Sequence, residues 1–272
     1  MNVYTKRLAN LREQFTRLKI DALLVSKPEN IFYLSGFRGN DSYLFITGQD
    51  KYILSDSRYA AELRQTMKRW RIKIRSKDRT VSDLINAVIA AKKIANVGFD
   101  PVHISYQQYR AFRKTLELKK FKPCYRCVEN LRLRKDPDEI NAIRTAVDIA
   151  QQTLRRLVSD CIDRPQTEKE LADYLEYSLR SQGADTVSFP SIVAAGPHAA
   201  FPHAVSGNRN IRRKGVLLID FGARKNGYCS DLTRTFFLGK ITLRFRRLYN
   251  LVKEAQRLAI ETIKPGIEIG AV

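Results

Sequence analysis

No apolar stretch of this 272-residue chain approaches the 18 or more residues that a membrane span requires, which argues against a transmembrane helix. The first residues, MNVYTKRLANLREQF, lack the apolar core of a secretory signal, so the cytoplasm is the expected compartment. Cysteine is scarce. Cys124, Cys127, Cys161 and Cys229 are too few in a chain of this length to make a disulfide framework, and reduced thiols are expected. Cys124 and Cys127 have the spacing of half a zinc site, but no second pair follows. No thioredoxin-like strand and helix is expected around them either, so they read as structural. Acidic residues are also in short supply, 28 against 49 Lys plus Arg, leaving a formal net charge of +21 and a pI near 10.0.

Hydrophobic residues make up 44% of the chain and charged residues 28%, a balance that excludes wholesale disorder and supplies ample core material. The length suggests two domains. Two thirds of the excess positive charge lies in residues 1–130. Its densest run spans residues 68–79, where Arg71, Lys73 and Arg75 alternate with Ile72 and Ile74 at the period of a strand. Such a stripe could neutralise phosphates, but with Trp70 as its one aromatic it lacks a stacking platform. A basic strand guarding a sheet edge is the better reading, and nucleic acid is disfavoured as a partner.

Leu8, Leu11, Phe15 and Leu18 predict a helix over 4–19, followed by a strand at Ala22–Val25. Strands at 42–47, 52–55, 71–75 and 94–99 alternate with helices near 57–69, 80–93 and 105–117, the pattern of an α/β domain over residues 1–130. A second domain, 131–272, opens with a helix begun by Asp136-Pro137. Ile140, Ile143, Val147, Ala150, Leu154 and Leu157 mark its expected core face. Thr167 and Glu170 have capping-box spacing for the next helix, which Gly183 can end.

Residues 215–239 read as a β-hairpin around Asn226-Gly227, a strong short-range hairpin signal. A two-residue loop there sets Lys225 opposite Tyr228, Asp220 opposite Thr233 and Gly222 opposite Asp231. Asp220 and Asp231 then share one face as diagonal neighbours, about 7–8 Å apart at the backbone. Two carboxylates together on an apolar hairpin need compensation, and a hard divalent ion supplies it; the alternative is that one of them simply faces water or caps a turn.

Taken together, LLVSKPENIFYLSGFRG at 23–39, RLRKDPDEINAIRTAVDIA at 132–150, FPSIVAAGPHAAFPHA at 189–204 and the hairpin LLIDFGARKNGYCSDLTRTF resemble the Xaa-Pro peptidases, that is, aminopeptidase P and prolidase, relatives of creatinase. The resemblance implies an α/β amino-terminal domain followed by an α+β pita-bread catalytic domain. It implies two divalent metal ions, with manganese the first candidate, held in part by Asp220 and by a bridging Asp231. It makes His203, in the Phe-Pro-His-Ala segment, the histidine that helps hold substrate and manage protons. Peptides with proline in the second position would be the substrates, and a homodimer is the assembly the family suggests. His198 has no equal support from the motif and is expected at the rim.

The family's remaining ligands, one histidine and two glutamates, have no counterpart here. No histidine follows His203, and the acids after Asp231 are Glu254, Glu261 and Glu268. Glu254 and Glu261 are expected to be solvated, on a helix whose core face would be Leu248, Leu251, Val252, Ala255, Leu258 and Ala259. Only the first half of the pita-bread domain is therefore expected, with uncovered apolar faces, poor solubility and no activity for this chain alone. A competing reading is a non-catalytic binding module that uses its basic surface to hold nucleic acid or an acidic partner.

Overall fold

A computed structural model describes every residue except 1, 161, 163, 165 and 213; Cys161 thus lies outside the described residues. The chain divides into two compact units, Met1–Lys135 and Asp136–Val272.

In the amino-terminal unit, helices α1 (Val3–Arg12) and α2 (Gln14–Leu18) replace the single helix expected over 4–19. Then come β1 (Ala22–Val25), α3 (Pro28–Ser35), β2 (Tyr43–Thr47), β3 (Lys51–Ser55), α4 (Ala60–Thr66), β4 (Arg71–Ile74), α5 (Val81–Lys92), β5 (Asn96–Phe99), α6 (Tyr106–Thr115), β6 (Lys120–Pro123) and α7 (Cys127–Leu133). The six strands form one mixed sheet in the order β4-β3-β2-β1-β5-β6. Side chains alternate across it at the strand period. Leu23, Val25, Leu44, Ile46 and Ile53 enter one core with α1, α3 and α7. Ala22, Leu24, Phe45, Tyr52 and Leu54 enter the other with α5 and α6. The α/β reading holds.

β4 is an edge strand, as its basic face suggests. Arg71 pairs with Asp50 at 3.0 Å and Arg75 with Asp56 at 3.1 Å, so part of the stripe is already neutralised within the protein. One expectation fails here. Cys124 and Cys127 are flanked by a strand and a helix, β6 before and α7 after, which the charged, proline-ended Lys120–Pro123 segment conceals.

The carboxy-terminal unit contains α8 (Pro137–Asp160), α9 (Glu168–Ser181), β7 (Thr186–Val187), β8 (Ile192–Ala195), β9 (Gly215–Phe221), β10 (Ala223–Lys225), β11 (Tyr228–Cys229), β12 (Leu232–Leu238) and α10 (Leu243–Thr262). Asp136 and Glu139 cap α8 reciprocally, each carboxylate accepting from the other's backbone N–H, at 2.9 and 3.0 Å. The packed face of α8 is rotated from the expected one. Ala142, Ala146, Ile149, Ala150, Thr153 and Leu157 are buried, whereas Ile140 is 41% exposed. Alanines on this face let the helix lie close to β10.

The hairpin spans two three-stranded sheets, β12-β9-β8 and β11-β10-β7. They part at Gly222, where an added Cβ would sit on the Ser230 carbonyl oxygen, so only glycine permits the crossing. α10 corrects a second expectation. It is amphipathic, yet none of its residues is buried: Leu251 is 67% and Val252 69% exposed, because no described element lies over that stripe. Phe237 and Phe245, with ring centroids 4.8 Å apart, pack the start of α10 near β12.

Candidate active site

The Asn226-Gly227 turn has φ of 51° and 83°, both left-handed, which matches the twist of the flanking strands. It fixes the register the sequence predicts: Lys225 opposite Tyr228 and Asp220 opposite Thr233. Thr233 Oγ1 donates to Asp220 Oδ1 at 2.7 Å and orients that carboxylate. Asp231 stands just before β12, next to the Ser230 that crosses Gly222.

Asp220, Asp231 and His203 all line one open cavity of about 680 Å³. Its opposite wall is a face of α9, where Lys169, Ala172, Asp173 and Glu176 recur at helical spacing. Glu176, half-buried, accepts from the backbone N–H of Ser191 at 3.2 Å. Ser191 also lines the wall, but its hydroxyl is buried and has no hydrogen-bond partner among the described residues. Phe189, Pro190, Ile192 and Pro202 give the cavity an apolar side.

The segment carrying His203 is tied down by a residue that the motif reading passed over. Glu168 is fully buried at the start of α9. Its carboxylate accepts from the N–H of Ala195 at 2.9 Å and of Gly207 at 3.4 Å, clasping both ends of the 195–207 segment. His198 Nδ1 lies 2.9 Å from both Glu168 oxygens, an arrangement that sets the proton of the neutral ring on Nδ1. His198 is thus an anchor of the loop rather than a rim residue, and it does not line the cavity. Nothing in the spacing of Glu168 and His198, 30 residues apart, signals the pair.

Glu254 and Glu261 are exposed and pair with Arg257, as expected of solvated positions. Among the described residues, no group of three or more His, Cys, Asp or Glu side chains converges as a metal site.

The Creatinase/Prolidase N-terminal domain matches residues 7–134, and metallopeptidase family M24 matches residues 141–272. The uncharacterized peptidase YqhT of Bacillus subtilis is 32% identical over 264 residues, which span 96% of this chain and 73% of that protein. The chain belongs to metallopeptidase family M24. The Xaa-Pro dipeptidase of Pyrococcus furiosus is 30% identical, with 96% of this chain and 73% of that protein covered. Among solved structures, the Xaa-Pro dipeptidase from Bacillus anthracis superposes with a TM-score of 0.90 at 29% identity, over 97% of this chain and 73% of that one. The X-Pro aminopeptidase from Thermotoga maritima gives 0.83 at 30%, over 93% and 73%. The M24 fold read from the motifs therefore stands: a creatinase-type α/β domain followed by part of a pita-bread metallopeptidase domain.

Proposed function

We propose that this M24 chain contributes Asp220, Asp231 and His203 to a Xaa-Pro peptidase site that hydrolyses the peptide bond on the amino side of proline. The observation that carries the reading is the meeting of those three side chains on the wall of one cavity. Carboxylate oxygens suit a hard divalent ion such as manganese, so the donor chemistry of Asp220 and Asp231 fits, though two side chains make a partial donor set. When bound, such ions polarise a carbonyl and lower the pKa of water.

The chain's own residues divide the remaining work. Thr233 holds Asp220 in one orientation, and His203 can donate a hydrogen bond to substrate or take up a proton. The apolar side formed by Phe189, Pro190, Ile192 and Pro202 suits a proline ring. Aminopeptidase and dipeptidase specificity both occur in the names of the relatives.

By itself the 272-residue chain is expected to bind manganese weakly and to release no amino acid from a Xaa-Pro peptide. Electron paramagnetic resonance of added manganese, with and without Asp231→Asn, measures the first; amino-acid release measures the second. Manganese-dependent release by the purified chain overturns the inactivity. Manganese binding that Asp220→Asn and Asp231→Asn leave unchanged overturns the assignment of those residues.

A further inference from the structure

We propose that Cys124 and Cys127, juxtaposed between β6 and α7, are a dithiol that hydrogen peroxide converts to a disulfide, a redox-modification site in the amino-terminal unit independent of the peptidase reading. Cys124 follows the last residue of β6 and Cys127 opens α7. Between them Arg126 adopts a left-handed conformation, φ 54°, uncommon for a residue with a Cβ. That turn folds the chain back so that both cysteines border one small cavity, with Cys127 Sγ 3.9 Å from the Tyr125 carbonyl oxygen. Gly98 on β5 makes room for the pair, since a Cβ there would lie 2.8 Å from Cys124 Sγ.

Three further features suit oxidation. The neighbouring Cys127 thiol and then the Lys122 ammonium lower the pKa of the Cys124 thiol against the opposing effect of burial, and so favour its thiolate. The same contact pushes the Cys127 thiol up, which marks it as the partner that keeps its proton. A cavity of about 10 Å³, the scale of one water molecule, touches both cysteines together with Val25, Asn30 and Asp100. Peroxide is little larger than water, the size that this cavity admits beside two residues that are only 3% and 5% exposed.

In the first step the Cys124 thiolate attacks one peroxide oxygen. The O–O bond breaks, hydroxide leaves and takes a proton to become water, and Cys124 becomes a sulfenic acid. Cys127 sulfur then attacks Cys124 sulfur, the S–O bond breaks, and the departing hydroxide takes the Cys127 proton as a second water. Two thiols lose two electrons and one peroxide gains them.

Trypsin makes the pair readable, because it cuts after Arg126 but spares the Lys122-Pro123 bond, separating Phe121–Arg126 from Cys127–Arg132. The folded 272-residue protein is treated with graded peroxide near neutral pH, alkylated, denatured and digested. The expected result is that these two peptides are recovered joined, short of two hydrogens, at peroxide levels that leave the exposed Cys229 alkylated, and that dithiothreitol separates them. In Cys127→Ser, dimedone should trap a sulfenic acid on Cys124; in Cys124→Ser, Cys127 should stay a thiol. If the two serine variants unfold, the wild-type map decides alone. Recovery of both peptides fully alkylated once Cys229 is oxidised, or of Cys124 carrying two added oxygens without any joined peptide, overturns the proposal.

Discussion

In the amino-terminal unit every strand of the sheet's centre feeds two covered cores: Leu23 and Val25 pack towards α1 and α3, Ala22 and Leu24 towards α5 and α6. In the carboxy-terminal unit, α8 and α9 bury their stripes against β8, β9 and β10 in the same way. α10 has an equally clear stripe, and it stands in solvent. Periodicity nominates a face; only an opposing surface realises the roughly 1.5–3 kcal/mol that burying a Leu or Val side chain is worth. The same residue types therefore stabilise one unit and leave the other with an adhesive surface.

That contrast can be broken by measurement. The largest effect belongs to a closed core: Phe45→Ala should cost about 4 kcal/mol in urea unfolding followed by the fluorescence of Trp70, the chain's one tryptophan, which reports the amino-terminal unit. A cost below about 1 kcal/mol would mean that this core is not tightly packed. Next comes the buried clasp of the other unit. Glu168→Ala strips the acceptor from the Ala195 N–H and leaves His198 unpaired, for a loss of about 3 kcal/mol and faster hydrogen exchange across 195–207. Unchanged exchange there would separate Glu168 from the positioning of His203.

Acid should act on the amino-terminal unit through Asp56. Hydrogen bonds from Arg58, and then Arg75, hold its carboxyl well below the usual carboxylate range. The folded-state value is depressed, so the contribution is present above the unfolded value near 3.9 and is lost as pH falls through the folded one. Asp56→Asn should lower stability at neutral pH and flatten the acid limb of a Trp70 titration; an unaltered limb would place the acid sensitivity elsewhere. The smallest effect is expected on α10, where Leu251→Ser should change unfolding by no more than about 0.5 kcal/mol and raise solubility. A cost above about 2 kcal/mol would show that the stripe is covered in solution, for instance by a second copy.

Much of this was legible in advance, and for identifiable reasons. β1 through β5 announce themselves by alternation and by β-branched and aromatic content, and the edge position of β4 by its arginines and lysines. The Asn-Gly turn carried enough stereochemistry to pair Asp220 with Thr233 correctly. α3 was missed although Pro28 at its first position and Gly36, at φ 80° just beyond its end, are both terminus signals. β6 was missed because only Phe121 of its four residues is buried. His203 was reachable only through its motif, and Ser191 and Glu176 join it by the folding of α9 against the 189–206 segment.

The sequence by itself determined most of the elements, the turn and the parity that sets Asp220 and Asp231 on one face, because backbone stereochemistry and side-chain period act between near neighbours along the chain. Only the tertiary structure decided that α8 packs through its alanines, that Glu168 is buried on His198, that Cys124 and Cys127 border one cavity, and that α10 stays bare. Burial and desolvation depend on which distant surface arrives opposite a side chain, and a one-dimensional pattern holds no record of that surface.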